Sequence, residues 1–232
     1  MPDPVPGRLA DIGACVFDAY GTLFDVNGAA QACQAELGDN WQPLAETWRT
    51  RQLQYTWLRG LMDQYVDFWQ VTGEALDFAL ASLKIDDADL RQRLMDLYLK
   101  LDCYPEVPGV LKTLQAAGTR TAILSNGSPK MLAAAVDNAG IGGDLDAVIS
   151  VDQLRVFKPK MEVYQLAVDQ LGVPAGQISF QSSNAWDAHA ASVFGFKVVW
   201  CNRFGQAREG LPGSPDLEVQ SLDDLPAIVG AA

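Results

Sequence analysis

The sequence predicts an α/β fold: a three-layer, mostly parallel sheet core with an all-helical cap inserted after the first strand. Three observations carry this. Apolar strand-like runs alternate with helix-period segments through the second half of the chain. Between 27 and 105 such runs vanish and apolar residues recur only at helical spacing. The first apolar run, Ala14-Cys15-Val16-Phe17, ends in Asp18, and Tyr20-Gly21-Thr22 follows at once. An acid at the end of a buried strand, before a glycine turn, stands where an open Rossmann-like sheet binds its ligands.

The first strand is read at 12–18. The cap follows, with Trp48, Tyr55 and Leu58 at helical spacing, then Tyr65, Phe68, Trp69 and Thr72. A third helix is expected over 74–83 from Leu76, Ala79, Leu80 and Leu83. Asp86-Asp87-Ala88-Asp89 opens a fourth, because acids suit the unpaired amides of a first helical turn; its stripe is Leu90, Leu94, Leu97 and Leu101. Pro105, Pro108 and Gly109 mark the exit from the cap. A helix over 109–117 leads to a strand at 119–125. Ser128 then caps a helix whose first residue is Pro129. A short strand at 147–151, a helix at 160–171 closed by Gly172, a strand at 178–182, a helix at 187–194 and a strand at 196–201 complete the alternation. A weak strand near 217–219 and a short helix near 222–229 end the chain. The expected division is therefore 1–26 with 106–232 as the α/β core, and 27–105 as the helical cap.

Composition narrows the function. The chain has 232 residues, 49% of them hydrophobic, which suffices for a sizeable core. Its 17 basic and 29 acidic residues give a formal net charge of −12, which disfavours nucleic acid and anionic lipid as partners. The four cysteines have no metal spacing, and Cys15 and Cys201 lie inside apolar runs that predict buried thiols. No window approaches a membrane span, and the proline-rich start reads as a flexible tail rather than a signal. A reduced, cytoplasmic protein is expected.

The ends of successive strands carry polar groups that a plain sheet does not need: Asp18; Ser125 with Asn126; Lys158 in a loop; then Ser182, Ser183, Asn184 and Asp187. Each alone has an ordinary explanation. Asp18 forms turns readily, Ser125 and Asn126 act as local caps, Lys158 is a solvated loop charge, and Asp187 is an N-cap. In a parallel sheet, however, all these ends lie on one side, and their joint occurrence points to a site. GxSxG and HExxH are absent, and the single histidine, His189, falls inside a predicted helix. A serine triad is thus disfavoured, and Asp18 is the best candidate nucleophile.

The set Asp18-Ala19-Tyr20-Gly21-Thr22-Leu23, Ser125-Asn126-Gly127, Lys158-Pro159 and Ser182-Ser183-Asn184-Ala185-Trp186-Asp187 resembles the haloacid dehalogenase superfamily across essentially the whole chain. The strings WRTRQLQYTWLRGLM and SSNAWD resemble its (S)-2-haloacid dehalogenases in particular. The superfamily's phosphatases have a second aspartate two residues after the nucleophile, where this chain has Tyr20. They also carry magnesium-holding acids where it has Ser183 and Asn184. A hard divalent ion wants several anionic oxygens, whereas displacing a halide needs neither a metal nor a proton donor. The resemblance therefore implies metal-free, cofactor-free hydrolysis of a 2-haloacid through an aspartyl ester. A phosphomonoesterase of the same fold would depend on magnesium, and a silent scaffold would tolerate loss of Asp18.

The resemblance also implies roles. Asp18 attacks, and Arg49 in the cap receives the halide together with Asn126 and Trp186. Ser125 and the backbone amides of the Ala19–Tyr20 turn hold the substrate carboxylate. Lys158 keeps Asp18 ionised against Asp187 and orients the hydrolytic water, with Thr22, Tyr164 and Ser182 in support. Asn184 and Asp187 serve the hydrolytic water, although an acid paired with Lys158 is a weakened base. Tyr20, Leu53, Tyr55, Leu61, Phe68 and Trp69 are expected mostly in the cap core or at a contact between two copies, since such enzymes are commonly homodimers. Two departures from the usual family text are Phe157 and Lys160 around Lys158-Pro159, and His189 soon after Asp187.

Overall fold

The computed structural model describes residues 7–231, so most of the expected N-terminal tail lies outside the described residues. One parallel sheet of six strands forms the middle layer: β1 (Ala14–Phe17), β2 (Arg120–Ser125), β3 (Ala147–Ser150), β4 (Ile178–Ser182), β5 (Lys197–Cys201) and β6 (Leu217–Val219), in the order β3-β2-β1-β4-β5-β6. The chain builds outward from β1 in one direction through β2 and β3, then returns to its other side with β4. This order puts the switch point beside β1, where the loops diverge and leave a crevice at the strand ends.

All four residues of β1 are buried, as a strand covered on both faces requires. Its register fixes the site: Phe17 pairs with Ile123 on one side and Gln181 on the other. The ends of β1, β2 and β4 therefore lie level, and Asp18, Ser125 and Ser182 emerge at one edge. Phe17 is fully buried, and its truncation to Ala would cost about 3–5 kcal/mol.

Between β1 and β2 every regular element is helical: α1 (Gly28–Ala32), α2 (Gln34–Leu37), α3 (Trp41–Leu61), α4 (Phe68–Ser82), α5 (Ala88–Tyr98) and α6 (Val107–Ala116). The two chain segments linking the helical insert to the sheet run side by side. Asp25 N–H donates to Asp102 O at 3.0 Å and Tyr104 N–H to Leu23 O at 2.9 Å. The remaining helices are α7 (Pro129–Ala139), α8 (Met161–Leu171), α9 (Ala185–Phe194) and α10 (Leu225–Val229). Among the described residues no helix is long and apolar enough to cross a membrane.

Several boundaries differ from expectation. The helix expected over 74–83 is the second half of α4, which begins earlier because the Asp67 side chain caps the Gln70 N–H. Pro108 belongs to the first turn of α6 rather than to the exit loop, since proline's missing N–H costs nothing there. The helix expected over 187–194 starts two residues sooner, so Asp187 sits within its first turn and is not its cap. Of the apolar cap residues, Tyr20 and Phe68 are buried, Leu53, Tyr55 and Trp69 half-buried, and Leu61 is 80% exposed. Cys15 and Cys201 are buried free thiols, as expected.

Candidate active site

The turn after β1 shapes the site. Asp18 N–H extends the ladder to Gln181 O at 2.9 Å. The Ala19 carbonyl then accepts from Leu23 N–H at 2.9 Å and Phe24 N–H at 3.0 Å, folding the chain back. Gly21 has φ +94°, which a residue with a Cβ rarely adopts. The tight turn returns Thr22 to the carboxylate, where its Oγ1 donates to Asp18 Oδ2 at 3.2 Å and accepts from Ser183 N–H at 2.8 Å.

Lys158 sits between two carboxylates. Its Nζ donates to Asp18 Oδ1 at 3.1 Å and to Asp187 Oδ2 at 2.9 Å, and the side chain is 1% exposed. Asn126 Oδ1 accepts from Lys158 N–H at 2.9 Å, tying the lysine loop to the end of β2. Tyr164 on α8 donates its hydroxyl to Asp187 Oδ1 at 2.7 Å. Asn184 heads α9 without capping it, because its side chain is engaged elsewhere. Nδ2 donates to Asp18 Oδ2 at 2.8 Å, and Oδ1 accepts from Arg49 Nη2 at 3.2 Å. Ser182 Oγ accepts from Asn184 N–H at 3.2 Å, which fixes that turn.

Burial and charge compete here. Burial lowers the Lys158 pKa, but the carboxylates of Asp18 and Asp187 outweigh it and leave the ammonium above its ordinary range. Burial raises the Asp187 carboxyl; the Lys158 charge opposes that rise, and the Asp18 charge adds to it. Burial and the neighbouring Asp187 hold the Tyr164 phenol protonated, so it stays a donor.

The helical insert supplies the opposite wall. Arg49 on α3 donates through Nη2 to Tyr20 O at 3.0 Å as well as to Asn184. Trp186 meets Trp57 edge to face at 5.4 Å, and both indole N–H groups are buried without a partner among the described residues. The Tyr20 ring stacks on Tyr98 at 5.6 Å and tilts against Phe68 at 5.9 Å. A Cβ on Gly127 would lie 2.8 Å from the Tyr20 ring, so only glycine admits that ring.

The structure thus joins Asp18, Thr22, Lys158, Tyr164, Ser182, Asn184, Asp187 and Arg49 in one hydrogen-bonded network. Asn126 joins through the Lys158 backbone. Ser125 is not bonded to this network: its Oγ accepts from Gly127 N–H at 3.0 Å. His189 stays outside, with Nδ1 at 3.0 Å from Gly213 O. Phe157 packs against Tyr65 at 4.7 Å, and Lys160 is exposed. Sequence reasoning missed Gln52, Thr72 and Tyr98 as companions of Arg49, and Trp57 against Trp186. The signal for Gln52 was its place one turn after Arg49. Nothing local singled out the others.

A parallel sheet with polar strand ends at its switch point and a helical wall over them is a Rossmann-like architecture that binds its ligand at the carboxyl ends of the strands. A model of the haloacid dehalogenase-like hydrolases matches residues 12–195, and the chain belongs to that family. It is 46% identical to (S)-2-haloacid dehalogenase 1 of Pseudomonas sp. (strain CBS-3) over 94% of this chain and 96% of that one. It is 39% identical to haloacetate dehalogenase H-2 of Moraxella sp. (strain B) over 94% and 97%. Among solved structures it superposes with TM-score 0.87 on the L-2-haloacid dehalogenase of Xanthobacter autotrophicus with chloropropionic acid covalently bound. That match is 39% identical and covers 94% and 98% of the two chains.

Proposed function

We propose that this enzyme hydrolyses short (S)-2-haloalkanoic acids to (R)-2-hydroxyalkanoic acids and halide through an ester on Asp18. The observation that carries the reading is the single ammonium shared by two carboxylates. Lys158 Nζ occupies the place between Asp18 and Asp187 that a cation would need. Among the described residues no group of three or more His, Cys, Asp and Glu is arranged to hold a metal. Lys158 lies against both carboxylates, and a carboxylate oxygen of Asp18 is a competent nucleophile toward saturated carbon.

In the first step a carboxylate oxygen of Asp18 attacks C2 from behind and the carbon–halogen bond breaks. The halide leaves as an anion toward Arg49, with Asn126 and Trp186 completing its cradle. A guanidinium there meets charge that grows only as the bond breaks, which lowers the barrier. Ser125 and the amides of the Ala19–Tyr20 turn hold the substrate carboxylate. In the second step water attacks the ester carbonyl of Asp18, with Asn184 orienting it and Asp187 taking its proton. Burial raises the Asp187 carboxyl and so offsets the weakening by Lys158. The inverted C2 is untouched in this step.

The helical segment over 27–105 is a lid domain on a core of 1–26 and 106–232, and the working form is a cytoplasmic homodimer. Exposed Leu58, Leu61 and Met62 at the end of α3 support a contact between copies. The test of the chemistry is halide release from each enantiomer of 2-chloropropionate in the presence of a chelator, followed by one turnover in heavy-oxygen water. Release from the S form alone, with label in Asp18 and not in the product, is expected. Label appearing first in the product, or activity lost to the chelator, overturns the reading.

A further inference from the structure

Arg49 has a buried, uncharged support on its far side. Its Nη1 donates to Gln52 Oε1 at 2.9 Å. Gln52 Nε2 donates to Thr72 Oγ1 at 2.8 Å and to Tyr98 OH at 3.1 Å. Thr72 Oγ1 in turn donates its only proton to Phe68 O at 2.6 Å. A hydroxyl that has given away its proton can only accept, so it must face the NH2 end of the glutamine. That orientation leaves the carbonyl end facing Arg49. Trp48 Nε1 holds the Thr72 carbonyl at 2.9 Å, which fixes α4 against α3 at this level. All of Gln52, Thr72, Tyr98 and Trp48 are buried.

The choice of glutamine matters chemically. No carboxylate among the described residues forms an ion pair with Arg49. A Glu or Asp in the support would hold the guanidinium equally well but cancel the charge that a departing anion requires. A neutral acceptor aligns the group and leaves its charge uncompensated.

We propose that Gln52, oriented by Thr72, is a positioning residue that aims Arg49 at the leaving group and keeps its charge available. This rests on the functional reading above. The support acts on leaving-group departure alone, so its loss falls hardest on the substrate with the poorer leaving group.

The experiment measures single-turnover halide release from (S)-2-chloropropionate and (S)-2-bromopropionate for wild type, Gln52→Met and Thr72→Val. In Gln52→Met, chloride release is expected to slow about tenfold or more and bromide release only about two- to threefold, as loss of transition-state charge stabilisation requires. Thr72→Val removes the acceptor that orients the amide, and shifts the bromide-to-chloride ratio in the same direction by less. A merely structural role lowers both rates together and leaves the ratio where it was. An unchanged ratio in folded Gln52→Met overturns the proposal; if that variant does not fold, the ratio in Thr72→Val decides in the same way. Wild type inert toward both substrates would instead overturn the functional reading beneath it.

Discussion

The two walls of the site hold their charges by opposite means. On the sheet side, Asp18 and Asp187 are each bonded to Lys158 within 3.1 Å, and three ionisable groups compensate one another in a buried cluster. On the helical side, Arg49 is held by a glutamine, a backbone carbonyl and an asparagine, all neutral. The sheet side must keep anions ionised away from water, which takes an opposite charge close by. In the proposed mechanism the helical side keeps a cation unspent until an anion arrives, which takes neutral partners. The contrast teaches that compensation belongs where charge is stored, and alignment without compensation where charge is to be received.

The comparison breaks most severely if the stored charge is removed. Asp18→Asn is expected to slow halide release by on the order of 10⁴-fold, because the amide is not a nucleophile and no neighbour substitutes for it. Steady-state halide release measures this. Lys158→Met comes next: two buried carboxylates would then face each other unpaired. A fall in activity of on the order of 10³-fold is expected, as for loss of a major electrostatic stabiliser. The same change is expected to cost stability of about 3–5 kcal/mol, the usual effect of orphaning one side of a buried ion pair. Urea unfolding monitored by circular dichroism checks it, and unchanged stability would show that the cluster is not what stores the charge.

The receiving side should respond differently. Arg49→Lys keeps a positive charge but loses the planar fork that reaches Gln52, Tyr20 O and Asn184 together. Halide release is expected to slow on the order of 10²-fold, with stability changed by no more than about 1 kcal/mol since the side chain is only partly buried. A destabilisation as large as that of Lys158→Met would erase the distinction between the two walls.

How much of this was legible beforehand follows from where each interaction lies along the chain. The sheet was readable because a doubly covered strand is an apolar run, and the ends of such runs in a parallel sheet must share an edge. Asp18, Lys158, Asn184 and Asp187 could therefore be grouped before any coordinate was known. Helix starts were less readable. Asn184 resembles a cap by type, yet its side chain is drawn away to Asp18 and Arg49, a tertiary pull that no local pattern encodes. The support of Arg49 was hidden for the same reason. Thr72 and Tyr98 sit 20 and 46 residues from Gln52, on helices whose polar members look like ordinary surface residues until packing turns them inward.

The smallest expected effect concerns pH and sharpens the account of the storing side. In the proposed mechanism Asp187 takes a proton from water and must be ionised to do so, so activity is expected to fall as pH drops through its pKa. Burial raises that pKa, so the acid limb should lie above the range of an ordinary aspartate. The Tyr164 hydroxyl donates to the ionised form and so pulls the pKa down from where burial alone would set it. Removing it with Tyr164→Phe therefore moves the acid limb to higher pH, while the rate on the alkaline side of the limb stays close to wild type. The measurement is the pH profile of ester hydrolysis after a pre-formed burst. A limb that moved to lower pH would mean that Asp187 is not the group titrating, and the base would have to be sought elsewhere in the network.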